Sequence, residues 1–159
     1  MLDPTMTQKL DHIDKRILVA MQKNAGLSQR ALAEEVGLSQ NACWRRLQRL
    51  NEAGVIAGQT VMLDRTQLGL DLVVFVMMRT RHHSANWLAE FRRAMLNVPE
   101  VVDLFRIGGD YDYLAKVVTE DMQSYDRVYQ RIIAAVELDS VTSYFSMESI
   151  AENRPLSIL

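Results

Sequence analysis

The sequence predicts an α+β chain made of two modules: a three-helix N-terminal module, then a four-stranded domain in the order βαββαβ. Three observations carry this. Apolar residues up to Leu50 recur at helical spacing and are punctuated by Gly26-Leu27-Ser28 and Gly37-Leu38-Ser39. From Leu72 onward, runs rich in valine, phenylalanine and tyrosine alternate with two helical patterns. The polar break "DRTQLGL", residues 64–70, separates the two textures.

Leu10, Ile13, Ile17 and Met21 are spaced by 3, 4 and 4, which is one face of a first helix, with Asp11, Asp14, Lys15 and Gln22 expected on its surface. Asn24-Ala25-Gly26 ends that helix. The Ser28 hydroxyl can then cap a second helix, "QRALAEEV", which Gly37 stops because glycine accepts a left-handed backbone cheaply. Ser39 caps a third helix whose inward residues are Cys43, Leu47 and Leu50, and Gly54 closes it. A tight turn between the second and third helices makes a helix-turn-helix arrangement. After Gly54, "VIAGQTVML" is β-prone and is expected to add a short strand, a wing, beside the module.

Beyond the hinge, Leu72–Arg81 reads as a strand that is apolar almost throughout, so both of its faces should be covered. Ser84 caps a helix with Leu88, Phe91 and Met95 inward, and Pro99 lies past its end. Val101–Ile107 and Tyr111–Thr119 are strands joined through Gly108-Gly109, a hairpin signal. Tyr125, Val128, Ile132 and Val136 form the next helical face. Val141, Ser143, Phe145 and Met147 share one side of a last strand. This is the ferredoxin-like plan. Its two helices should cover one face of the sheet. The other face keeps apolar residues, and a second copy of the chain is the simplest cover. The expected divisions are residues 1–60, a linker at 61–71, and residues 72–159.

Composition limits the function. At 159 residues and 48% hydrophobic content the chain can build a real core. The longest apolar run, "LVVFVMM", is far short of the roughly 20 residues that span a bilayer. The opening "MLDPTMTQKLDH" has no apolar signal core, so a cytoplasmic protein without a membrane partner is expected. One cysteine excludes an intrachain disulfide framework. The net charge of −2 is unevenly spread, with eight basic and six acidic residues up to Thr60 and 10 basic against 14 acidic beyond it. Two modules with different partners are implied.

The stretch "SQNACWRRLQRL", Ser39–Leu50, concentrates the chemistry of the first module. With Cys43, Leu47 and Leu50 inward, the outward face carries Gln40, Asn41, Trp44, Arg45 and Gln48. These are donor-rich side chains able to reach base edges, with one aromatic for sugar or methyl contact. Ser39 begins the helix. Arg46 and Arg49 flank the face and suit phosphates. A solvated helix with incidental arginines is the plainer reading of one basic helix. The preceding helix and turn favour double-stranded DNA.

In the second module, Gly108, Gly109, Asp110, Tyr111, Asp112 and Tyr113 read on their own as a hairpin turn with surface aspartates. The same loop suits a zwitterion. Glycine amides can take a carboxylate, Asp110 or Asp112 an ammonium, and Tyr111 and Tyr113, on one face of a strand, can wall a pocket. His82 and His83 are adjacent, so on a strand they point apart, and no metal site is expected. Cys43 falls on the core face and reads as packing. No phosphate loop or catalytic constellation is present, so neither an enzyme nor a bound cofactor is expected.

These motifs, from "LDHIDKRIL" through "ALAEEVGLSQNACWRRLQRLNEAGVI", "GLDLVVFV" and "IGGDYDYLAKV" to "YFSMESI", resemble the leucine-responsive/AsnC family of transcription regulators over nearly the whole chain. The resemblance implies an N-terminal DNA-binding domain and a C-terminal domain that dimerises through its sheet and binds an amino acid at the Gly108–Tyr113 loop. It also implies assembly of dimers to octamers. Where the family usually reads Thr-Pro-Cys at the start of the recognition helix, this chain has Asn41-Ala42-Cys43. "RTRHHSANWL", Arg79–Leu88, with "ACWRRL", is similar to a subgroup that includes cysteine-responsive regulators, which makes L-cysteine the expected effector. Two other functions fit the same elements: an architectural DNA-binding protein with little ligand control, and a stand-alone ferredoxin-like metabolite-binding domain.

Overall fold

The computed structural model describes residues 9–158. It divides the chain into two compact units, one running up to Met62 and including Ala151 onward, the other spanning Leu63–Ile150. The expected domain ends, residues 1–8 and residue 159, lie outside the described residues.

The first unit holds α1 (His12–Lys23), α2 (Gln29–Glu35) and α3 (Gln40–Glu52). Each begins at a side-chain cap. Asp11 and Asp14 form a reciprocal capping box on α1, the Ser28 hydroxyl accepts from the Ala31 amide at 3.1 Å, and the Ser39 hydroxyl accepts from the Ala42 amide at 3.3 Å. Gly37 turns the chain between α2 and α3 at φ +67°, a conformation that penalises any side chain. Ile17, Ala20, Leu32, Ala33, Val36, Cys43 and Leu50 are buried together. Each large aliphatic group there contributes about 1.5–3 kcal/mol.

Two expectations for this unit need correction. Asp14 is not on the surface of α1 but fully buried, because two arginines of α3 neutralise it there. Residues 55–63 form no strand within the chain. Their β-prone side chains, Val61, Met62 and Leu63 among them, stay exposed. A strand needs a neighbour for its backbone hydrogen bonds, and this segment pairs with none of the described strands. The unit is completed by the C-terminal segment, where the Gln22 side chain binds the Leu156 backbone through both amide atoms, at 2.7 and 3.1 Å.

The second unit runs β1 (Leu72–Arg79), α4 (Ala85–Leu96), β2 (Val101–Arg106), β3 (Tyr113–Thr119), α5 (Met122–Ala135) and β4 (Ser140–Phe145). The sheet is antiparallel with strand order β2-β3-β1-β4, the ferredoxin-like arrangement. Val76 lies opposite Ala115 on one side and Ser143 on the other, which fixes the register of β1 against β3 and β4. Val74, Val76, Met78, Tyr113, Ala115 and Val117 point to one face and pack with Phe91 and Met95 of α4 and Val128 and Ile132 of α5. Both helices therefore cover the same face.

The opposite face, lined by Phe75, Met77, Leu114, Phe105 and Tyr144, is only half-buried or exposed, with Phe105 53% and Tyr144 52% accessible. β1 is thus covered on one side by its own chain, not on both as its apolar run suggested. The hinge segment is an ordered turn in this unit. Arg65 donates from Nη1 to the carbonyls of Leu70 and Asp71 at 3.0 and 3.1 Å and from Nη2 to the Ser149 hydroxyl at 3.1 Å.

Candidate functional site

Helix α3 presents Gln40, Asn41, Trp44 and Arg45 to solvent, with Trp44 46% accessible and Gln48 half-buried beside them. Arg45 has no ion-pair partner among the described residues. Ser39 sits at the head of this face with its hydroxyl engaged in capping. Cys43 and Leu50 lie on the buried side, and desolvation pushes the Cys43 thiol up from its ordinary value, so it stays a protonated packing group.

The two flanking arginines are engaged inside the unit. Arg46 Nη1 reaches Asp11 at 2.6 Å and Asp14 at 2.8 Å, and Arg49 Nη2 reaches Asp14 at 2.5 Å. The backbone amide of Asp14 and then the Arg46 guanidinium hold the Asp11 carboxyl down at about 2. Sequence reasoning missed this cluster. The Asp11-x-x-Asp14 spacing advertised a capping box, but a buried carboxylate is legible only once its arginine partners are known.

The six loop candidates separate. Gly108, Gly109 and Asp110 are exposed at the tip, where Gly109 has φ +126°. Asp110 offers a free carboxylate, while its carbonyl accepts from Arg79 Nε at 2.7 Å. Tyr111 lies under the Arg79 guanidinium, 5.7 Å from its ring centroid, and its hydroxyl is 3.2 Å from that of Thr142 on the open sheet face. Hydrogen bonding with Thr142, then Tyr144, draws the Tyr111 phenol below its ordinary value.

Asp112 and Tyr113 point elsewhere. The Asp112 carboxylate accepts from the Thr80 amide at 2.8 Å, and Tyr113 is buried beside Phe91 at 4.3 Å between ring centroids. The expectation that Tyr111 and Tyr113 share a face is corrected. β3 begins only at Tyr113, so alternation does not extend back to Tyr111. Arg79, Thr142 and Tyr144 join the loop instead. Only the charge of Arg79 at the end of an apolar strand hinted at this.

His82 lies 3.4 Å from Glu137, and no group of three or more His, Cys, Asp or Glu among the described residues is arranged to hold a metal. No described helix is long and apolar enough to cross a membrane.

Both halves of the chain match known families. Residues 10–57 match the winged helix-turn-helix DNA-binding family, and residues 73–156 match the Lrp/AsnC ligand binding domain. The chain belongs to the Lrp/AsnC family. It is 41% identical over 150 residues to the DNA-binding transcriptional activator DecR of Escherichia coli, covering 94% of this chain and 99% of that protein. It is 39% identical over 153 residues to the glutamate uptake regulatory protein of Zymomonas mobilis, covering 96% and 93%. Among solved structures it resembles an AsnC family regulator from Agrobacterium tumefaciens, with TM-score 0.87, 41% identity, and 90% and 94% of the two chains covered. It also resembles a Neisseria meningitidis transcriptional regulator in complex with L-methionine, with TM-score 0.87, 28% identity, and 93% and 96% covered. This Lrp/AsnC protein is therefore a DNA-binding transcriptional regulator with a ligand-binding domain, and not an enzyme.

Proposed function

We propose that this regulator reads double-stranded DNA with the outward face of α3 and responds to an amino acid bound at the Gly108–Tyr111 loop. The observation that carries the DNA half is an outward face of uncompensated donors: Gln40, Asn41, Trp44, Arg45 and Gln48. Base edges in the major groove are matched by such groups, and Arg45 suits guanine. Ser39 starts the helix next to the same groove. Arg46 and Arg49 lie beside it but spend their charge on Asp11 and Asp14.

The effector half rests on exposed amides at Gly108 and Gly109 for a carboxylate, the Asp110 carboxylate for an ammonium, and Tyr111 with Arg79 as the adjoining wall. A zwitterion needs both charges matched in a partly dry site, because unpaired buried charge is costly. The loop alone is too exposed to supply that dryness. A second copy packed on the open face, over Phe75, Phe105 and Tyr144, closes it and makes a homodimer, the unit from which octamers assemble in a cytoplasmic setting. The Neisseria relative solved with L-methionine supports an amino acid as the ligand class. Within that class, the likeness of Arg79–Leu88 to cysteine-responsive regulators puts L-cysteine first.

Fluorescence anisotropy on a duplex selected by the protein from a random pool, with and without a panel of amino acids, tests this. Reduced Arg45→Ala affinity for the selected duplex and an amino-acid-dependent shift in the parent are expected. A parent that binds selected and random duplexes alike overturns the DNA reading. An unmoved curve across the panel overturns the effector reading.

A further inference from the structure

The structure treats the three arginines of α3 differently. Arg45 has no ion-pair partner among the described residues, while Arg46 and Arg49 are folded back onto the start of α1. Asp14 is fully buried, and its two oxygens are taken by different arginines, Oδ1 by Arg46 and Oδ2 by Arg49. Asp11 takes Arg46 a second time and is bound to Asp14 through the capping box. Two cations and two anions so cancel within one module.

That cancellation bears on DNA binding. A guanidinium on a phosphate adds affinity for every sequence and none for a particular one. Two further free guanidiniums beside the reading face would strengthen non-specific binding most. Phosphates compete poorly for Arg46 and Arg49 here. Each would have to give up a short charge-assisted bond and leave the buried Asp14 with one guanidinium instead of two.

We propose that Asp11 and Asp14 are specificity-determining residues for DNA: they hold Arg46 and Arg49 away from the phosphate backbone, so that discrimination depends on the base-reading face of α3. This rests on the assignment of Gln40, Asn41, Trp44, Arg45 and Gln48 to base contacts. The aspartates act through the arginines and touch no nucleotide, which makes them positioning residues. A merely structural clamp between α1 and α3 would change stability and leave the balance between specific and random DNA alone.

The test uses the full-length protein, a duplex selected by the parent from a random pool, and a shuffled duplex of the same composition. Affinities are measured by anisotropy from about 50 to about 200 mM salt, where each added phosphate contact steepens the log–log slope by about 0.9. Asp11→Asn is the primary variant. Asparagine caps a helix as well as aspartate, so folding is retained while the charge is lost. Asp14→Asn is the second variant, and Arg45→Ala the control for the reading face.

The expected result is a steeper salt slope, tighter binding to the shuffled duplex, and a smaller ratio of selected to shuffled affinity in the aspartate variants. An unchanged or shallower slope with the parental ratio overturns the proposal, whatever the melting temperature does. If Arg45→Ala loses affinity for the selected duplex while the aspartate variants behave as the parent, the reading face stands and the withholding role falls. If Arg45→Ala binds the selected duplex as the parent does, the assignment of the face fails and the proposal with it.

Discussion

Asp112 spans 32 residues of sequence to take the Thr80 backbone amide on its carboxylate, at 2.8 Å. Its own amide donates to the Met78 carbonyl and its carbonyl accepts from Ile107, both at 2.9 Å. Asp112 therefore ties the loop base to the end of β1, while Asp110, two residues earlier, leaves its carboxylate in solvent. The two aspartates should separate on mutation. Asp112→Ala removes a hydrogen bond to a charged group and should cost about 1.5–3 kcal/mol in denaturant unfolding. Asp110→Ala should leave unfolding unchanged and abolish the amino-acid response in DNA binding. Equal stability losses in the two variants would show that both are structural.

The open sheet face leads to an association prediction. Phe105 and Tyr144 are more than half accessible on a sheet whose other face packs against α4 and α5. Phe105→Glu places a charge where the proposed second copy would pack, and desolvating that charge opposes association. Sedimentation velocity at micromolar concentration should show parent dimers or larger species and a smaller variant particle with retained secondary structure. A variant that sediments with the parent would move the interface off this face.

Much of this architecture was legible because its signals are local. Ser28, Ser39 and Ser84 each stand one residue before a helix and cap it as their hydroxyls suggested. Gly37 and Gly54 occupy the left-handed positions that end α2 and α3. What escaped the sequence is set by distant partners. Asp14 looked like a surface acid because Arg46 and Arg49, which make its burial tolerable, come 32 and 35 residues later. Tyr111 looked like a companion of Tyr113 because alternation was counted through a loop that the Asp112–Thr80 bond holds out of β3. Residues 55–63 looked like a strand on propensity, and propensity cannot supply a pairing edge.

Acid should weaken the first unit through Asp11. Its carboxyl is held at about 2 against an ordinary 3.8, so the folded state binds its proton less readily than the unfolded chain does. The stabilisation is fully present above the unfolded value and is lost as pH falls through about 2. Circular dichroism of the parent should show stability declining across this window. Asp11→Asn should flatten that part of the profile. A parallel decline in parent and variant would place the acid sensitivity on other carboxylates.

Arg49→Ala should reveal how much Asp14 depends on its partners. Removing one partner of a buried ion pair costs about 3–5 kcal/mol when the remaining charge is left alone. Here Arg46 and the Asp11 amide still reach Asp14, so the loss should fall below that range. Denaturant unfolding of Arg49→Ala, Asp14→Asn and the double variant forms a cycle. A double variant less unstable than the sum of the two singles is expected, because each single strands a charge that the other removes. Strict additivity would mean that Arg49 and Asp14 are not coupled in solution.

The C-terminal segment offers the last prediction. Gln22 presents a carboxamide that copies the donor and acceptor pair of a peptide group, and it meets the amide and the carbonyl of the same residue, Leu156. The Leu156 side chain is 76% exposed, so apolar burial of that residue is not what holds the segment against α1. Each such bond is worth about 0.5–1.5 kcal/mol net, and solvent access puts these at the low end. Gln22→Ala should therefore raise amide exchange at Leu156 by about tenfold or less, since 1.4 kcal/mol corresponds to a factor of ten. Gln22→Glu keeps an acceptor for the Leu156 amide but turns a second oxygen toward its carbonyl, so its protection should fall between parent and alanine variant. Hydrogen exchange read at the C-terminal peptide checks both. Parental protection in the alanine variant would show that neighbouring contacts hold the segment without Gln22.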